Sequence, residues 1–246
     1  MQLGLIGAGN MASALARGWG DPVLCTDSGS GRAAALAAEL GGEALPDNAE
    51  LARRADVVVL AHKPAQLVEV AQEAAPQAKR VISVMGRTSL EDLRAAYPGV
   101  PVSRIEPNTP VALRQGVSAL AAESDDADMV QALFERVGTV VRVPERLMTI
   151  AGGVSGVGPA YLALVAEAWV DAAVRRGMPA PLAAELVTGT LAGTAALLAH
   201  AGHDTLALRR GVASPGGTTA RGLAALEREG LRAAFAAAMD DVVDFR

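Results

Sequence analysis

The chain has few aromatic residues, with three Phe, two Trp and two Tyr in 246 residues. A core rich in Ala, Gly and Leu instead favours closely packed helices over an all-β fold. Cys25 is the single cysteine, so no internal disulfide forms and a reducing compartment is expected. Positive charge is not concentrated anywhere. The 22 basic and 27 acidic residues give a net charge of −5. A nucleic-acid partner is therefore not expected. Three histidines without a cysteine or carboxylate cluster argue against a metal site. Uninterrupted apolar runs of membrane-spanning length are also lacking. The longest candidate, 159–174, is broken by Glu167 and Asp171, so no membrane partner is expected. A strand and a glycine loop begin at once, so no secretory leader is expected. A cytoplasmic protein of one large domain or two modest ones is the expectation. There is no glycine–serine nucleophile elbow either.

What is present begins at the first residues. Residues 2–6 form a short apolar run of strand type. Gly7-Ala8-Gly9-Asn10-Met11-Ala12 follows, and a helical pattern opens at Met11. Strand, glycine turn and helix in this order match the dinucleotide-binding fingerprint, with Ala12 at its third small position. Gly7 makes the tight turn, and Gly9 lets the backbone approach a pyrophosphate. The helix N-terminus then presents free N–H groups to the phosphates. A second strand ends at Asp27, twenty residues after Gly7, where a carboxylate accepts from an adenosine ribose hydroxyl and favours NAD(H). Ser28, Ser30 and Arg32 beside it suit a 2′-phosphate and favour NADP(H). The residues argue both ways.

Strand and helix patterns then alternate. A β-branched run at 57–61 reads as a strand buried on both faces, ending at Ala61-His62-Lys63-Pro64. Pro46-Asp47-Asn48 opens a helix before it. Further strands are expected at 81–84, 102–105, 117–121 and 140–143, which predicts a largely parallel sheet. After about Glu145 only helical patterns remain, chiefly 159–176, 182–201, 204–210, 218–228 and 231–244. The first two are apolar over most of their circumference. Such helices need burial on most sides, so a subunit interface is expected there. The fold class is α/β: a Rossmann-type doubly wound sheet over 1–147, then an all-helical substrate-binding and dimerisation domain over 148–246.

Three stretches carry chemical potential. Ser214-Pro215-Gly216-Gly217-Thr218-Thr219 precedes a helix, and its backbone N–H groups suit a carboxylate. An ordinary Ser or Thr N-cap is the alternative. Pro107-Asn108-Thr109-Pro110 follows a strand beside the presumed cleft. Gly156-Val157-Gly158-Pro159-Ala160-Tyr161 opens the long helix.

Together with Gly7-Ala8-Gly9-Asn10-Met11 and Lys63-Pro64, these stretches resemble the ordered signatures of pyrroline-5-carboxylate reductases, over the whole chain. The resemblance implies hydride transfer from NADPH or NADH to the cyclic imine of pyrroline-5-carboxylate, giving L-proline, the last step of proline biosynthesis. It implies a homodimer or larger ring. It makes Thr219 the hydrogen-bonding partner of the ring nitrogen. Ser214 and the N–H groups of Gly216, Gly217 and Thr218 would hold the carboxylate. The expected cofactor contacts are Gly7, Ala8, Gly9, Asn10, Met11, Asp27, Ser28, Arg32, Asn48, Ala61, Lys63, Pro64 and Asn108. The chain departs from the family at Val157 (usually Ser), Glu106 (usually Met), Met85 (usually Ala) and His62 (usually Val), and Ala65 intervenes before Gln66. Two rivals remain. A β-hydroxyacid dehydrogenase relative would need a Lys base on the long helix, and 159–176 contains none. A non-catalytic dinucleotide-binding regulator would bind cofactor without turnover.

Overall fold

The computed structural model describes residues 1–245. They divide into two compact units, Met1–Pro159 and Ala160–Arg246. The first is built on one eight-stranded sheet. Its strands are β1 (Leu3–Ile6), β2 (Leu24–Thr26), β3 (Glu43–Ala44), β4 (Val57–Leu60), β5 (Val81–Ser83), β6 (Val102–Glu106), β7 (Gly116–Ala121) and β8 (Gly138–Val143), in the order β3-β2-β1-β4-β5-β6-β7-β8. Every neighbouring pair is parallel except β6 with β7. A short 3-10 turn at Thr109–Leu113 joins those two. It is too short for a helical crossover, and an antiparallel neighbour needs none. The order reverses beside β1, which lies between β2 and β4. In open α/β sheets that reversal is where ligands bind.

The strands alternate their faces. Leu3, Leu5, Val57 and Val59 join one buried cluster, while Ile6, Val58 and Leu60 join the other. Helices α1 (Asn10–Trp19), α2 (Arg32–Leu40) and α6 (Ala127–Glu135) cover the first face. Helices α3 (Asn48–Arg54), α4 (Leu67–Ala74) and α5 (Leu90–Ala96) cover the second. Trp19 locks α1 to α6. Its ring meets Phe134 edge-on at 5.5 Å, and its Nε1 donates to Leu133 O at 3.2 Å. A short α7 (Met148–Ala151) and a π turn (Gly152–Gly156) complete the unit, with Met148 fully buried in the second cluster.

Helix α8 (Gly158–Val174) crosses the division between the units. The boundary expected at 147/148 lies upstream of that division, because α7 and the π turn pack with the sheet. The second unit continues with α9 (Ala180–His200), α10 (Thr205–Val212), α11 (Thr218–Arg228) and α12 (Leu231–Asp244). It contains no strand among the described residues. Tyr161 on α8 meets Phe235 of α12 edge-on at 6.5 Å. Helix α9 stops at Gly202, which takes a left-handed φ of 63° while His203 N donates back to Leu198 O.

The runs Glu145–Val174 and Ala180–His200 are long and apolar enough to cross a membrane, with mean hydropathies of 1.4 and 1.5. Glu167 and Asp171 still interrupt the first of them. Within one chain, 11% of each window is buried.

Trp19→Ala should remove both the edge-on ring contact and the Leu133 bond. The loss should be about 3–5 kcal/mol in the stability of the sheet unit. Urea denaturation followed by circular dichroism checks it, and an unchanged midpoint would contradict the packing described.

Candidate active site

The turn after β1 is fixed by backbone crowding. Gly7 has φ 98°, and a Cβ there would fall 2.8 Å from the Ala61 carbonyl and 2.9 Å from His62 N. Gly7 N donates to Thr26 O at 3.0 Å, so this residue ties β1 to the ends of both neighbours. Gly9 is the N-cap of α1 and carries no side-chain cap. A Cβ on Gly9 would meet no atom within 4 Å. The space before the first N–H groups of α1 is therefore open and the donors are unclaimed by side chains. That is the arrangement a pyrophosphate needs.

This turn forms the floor of a cleft of about 740 Å³. Gly7, Ala8, Gly9, Asn10, Met11, Asp27, Ser28, Arg32, Asn48, Ala61 and Lys63, all expected cofactor contacts, line it together. Pro64 and Asn108 are not among the residues lining this cleft. Pro64 opens a 3-10 turn and faces a separate groove between α4 and α5. Asn108 has both ends of its amide occupied: Oδ1 accepts from Val117 N at 2.8 Å, and Nδ2 donates to Ser155 O at 3.1 Å. Its side chain braces β7 against the π turn. Several lining residues carry no local sequence signal, among them Thr26, Gln66, Glu69 and Glu73. They meet only because α3 and α4 pack side by side on the sheet.

The Asp27 carboxylate folds back on its own loop. It accepts from Gly29 N at 2.8 Å, Ser30 Oγ at 2.7 Å and Ala33 N at 3.0 Å. These bonds, led by those from Ala33 and Ser30, hold its pKa at about 2. His62 lies beside Lys63 on the rim. Its Nδ1 is 2.9 Å from Lys63 O, and burial pushes its pKa below the ordinary imidazole value.

The second unit carries the other predicted site by itself. Ser214 O accepts from Gly217 N at 3.1 Å, with Pro215 second and Gly216 third at φ 71°. Proline then left-handed glycine is the pattern of a type II turn. Gly217 is the N-cap of α11, and no side chain caps the helix. A Cβ on Gly217 would come 2.5 Å from Ser214 Oγ. The Ser or Thr N-cap alternative is thus not realised. The N–H groups of Thr218, Thr219 and Ala220 occupy the first turn, where no helical carbonyl reaches them. These first-turn donors suit a carboxylate, and Ser214, Thr218 and Thr219 add three hydroxyls to the same short stretch.

Comparisons with known proteins agree across the whole length. The family described as pyrroline-5-carboxylate reductase dimerisation matches residues 145–245, and that described as NADP oxidoreductase coenzyme F420-dependent matches 2–87. Pyrroline-5-carboxylate reductase of Synechocystis is 38% identical over 248 residues, covering 96% of this chain and 93% of its own. The chain belongs to the pyrroline-5-carboxylate reductase family. Pyrroline-5-carboxylate reductase 3 of Mus musculus is 35% identical over 97% of the chain and 92% of its own. Among solved structures, the Streptococcus pyogenes 1-pyrroline-5-carboxylate reductase aligns with TM-score 0.89 at 30% identity, covering 99% of this chain and 97% of that one. The Plasmodium falciparum pyrroline carboxylate reductase, solved with NADP bound, aligns with TM-score 0.86 at 26% identity over 99% and 96%. A Mycobacterium tuberculosis 3-hydroxyisobutyrate dehydrogenase shares the fold at TM-score 0.54 and 17% identity, over 77% of this chain and 71% of that one.

Two of the positions expected to depart from the family are accommodated within the sheet unit. Glu106 receives Arg104 Nη2 at 2.7 Å, and Arg104 Nη1 lies 3.4 Å from Glu145. Both side chains of the closer pair are largely buried, so the carboxylate introduced at 106 is matched by a guanidinium. Met85 is buried in the cluster beneath α4 and α5. Among the described residues no three His, Cys, Asp or Glu side chains group as metal ligands.

Gly9→Val should place a side chain in the open space before α1 without striking the protein. Affinity for NADPH and NADH should fall roughly 100-fold, about 2.7 kcal/mol, with the melting temperature nearly unchanged. Fluorescence titration of the reduced nucleotides checks this, and undiminished binding would remove the cleft from the reaction.

Proposed function

We propose that this chain is an NAD(P)H-dependent reductase that converts 1-pyrroline-5-carboxylate to L-proline. One observation carries the reading: the uncapped N-terminus of α11 behind the Ser214–Gly217 turn, with Thr219 on its first turn. It offers carboxylate-binding donors and a hydroxyl within one turn of helix, which are the two polar demands of this substrate. When bound, the nicotinamide supplies a hydride to the imine carbon. The chain's own residues bind and orient. Ser214 Oγ and the N–H groups of Gly216 and Thr218 hold the carboxylate, aided by the positive end of the helix dipole, whereas the Gly217 N–H expected to join them is already spent on Ser214 O. The Thr219 hydroxyl hydrogen-bonds the ring nitrogen and fixes which carbon is presented. No carboxylic acid or imidazole lies on the 214–219 turn, so the proton on the ring nitrogen comes with an iminium substrate or from water.

Assembly belongs to the same reading. The apolar side chains of α8 and α9 stand exposed in one chain, with Leu164 at 65%, Trp169 at 49% and Leu186 at 52%. Residues 145–245 match the family's dimerisation region. Burial in a homodimer or larger homo-oligomer supports these helices better than a bilayer, because Glu167 and Asp171 sit inside α8. A cytoplasmic enzyme accords with the single thiol of Cys25.

Thr219→Val keeps the shape of the side chain and removes its hydroxyl. Turnover of pyrroline-5-carboxylate should fall about tenfold to a hundredfold, with cofactor affinity nearly unchanged. Thr218→Val should lose less, since its contribution is the backbone N–H. Undiminished turnover in Thr219→Val would reject the assigned role, and no turnover in the unmutated protein with either nucleotide would favour the regulator. Light scattering should report at least twice the 25.0 kDa chain mass. Leu164→Glu should shift it toward a single chain, and a stable unmutated monomer at micromolar concentration would contradict the interface.

A further inference from the structure

Four carboxylates line the dinucleotide cleft, Asp27, Asp47, Glu69 and Glu73, against two cations, Arg32 and Lys63. Three of the four are held by bonds. Asp47 caps α3, accepting from Glu50 N at 2.7 Å. Asp27 is tied to its own loop, and its depressed pKa keeps it charged wherever the protein is folded and working. Glu73 is held by other elements. Its Oε2 accepts from Asn48 Nδ2 at 2.8 Å. Asn48 Oδ1 in turn accepts from Thr26 Oγ1 at 2.7 Å. Thr26 is buried at the end of β2, next in the chain to Asp27.

This relay brings a carboxylate from α4 toward the end of β2. In a dinucleotide fold that end meets the adenosine ribose. The relay also prevents Asn48 from turning, because both ends of its amide are engaged. Ser30 spends its proton on Asp27, which leaves Ser28 and Arg32 to face any 2′-phosphate. Arg32 has no ion-pair partner among the described residues. The carboxylates at this end therefore outnumber the guanidinium that would offset them.

We propose that Glu73, fixed by Asn48, is a specificity-determining residue that disfavours the 2′-phosphate of NADPH and tolerates the free ribose hydroxyl of NADH. A carboxylate accepts a hydrogen bond from a hydroxyl and repels a phosphate. The inference rests on the reading of this cleft as the dinucleotide site.

Glu73→Gln removes the charge and keeps an oxygen that accepts from Asn48. Titrating NADPH and NADH by nicotinamide fluorescence gives the ratio of their dissociation constants. That ratio, NADPH over NADH, should fall about three- to tenfold, with NADH affinity changing less than about twofold. The difference should shrink as salt is raised, because Glu73 is solvent-exposed. Glu73→Ala, which lacks an acceptor for Asn48, should move the ratio in the same direction. An unchanged ratio, or equal losses for both nucleotides, would overturn the role of Glu73 while leaving the cleft assignment standing. Absence of binding by the unmutated protein would overturn both.

Discussion

The backbone crossing at Gly7 is the constraint on which the sheet unit depends. Three chain segments meet there: the end of β1, the Thr26 carbonyl at the end of β2, and the Ala61–His62 peptide after β4. Any side chain at position 7 would drive these apart, and the left-handed φ already excludes most residues. Because the crossing is tight, α1 begins directly over the reversal in strand order. Its uncapped N–H groups then face the cleft instead of the core. The binding surface is a consequence of how closely three strands can approach.

The same economy governs the second unit. Gly216 turns the chain and Gly217 leaves room for Ser214 Oγ, so α11 starts with no side chain over its end. A Ser or Thr in place of the Gly217 N-cap would have added only about a few tenths of a kcal/mol of helix stability and would have consumed a donor. The chain forgoes that stabilisation and keeps the donors for a ligand. Both glycine turns thus exchange helix-end stability for anion-binding capacity. The first serves the cofactor and the second the substrate carboxylate in the function proposed.

Elsewhere polar groups are satisfied internally. Asn108 braces two segments, Asp27 organises its own loop, and Arg104 matches Glu106. Of these residues only Asp27 lines the cleft. The exposed apolar faces of α8 and α9 are the opposite case, since nothing within one chain covers them. The match of residues 145–245 to a dimerisation family is in keeping with that exposure.

The sequence by itself determined the elements whose cause is local. The glycine turn, the buried run of β4 and the helical second half follow from periodicity and backbone sterics over a few residues. The Ser214–Thr219 turn was legible for the same reason, as was the family resemblance. Tertiary structure alone decided what depends on distant neighbours. It turned β7 antiparallel to β6, tied both ends of the Asn108 amide within the protein, and moved Pro64 away from the cleft. It also joined Thr26, Asn48 and Glu73 across β2, α3 and α4. No local pattern marks these three residues as partners. Their meeting is set by the packing of two helices on one face of the sheet, and side-chain bonds of 2.7 and 2.8 Å are fixed only after that packing is complete.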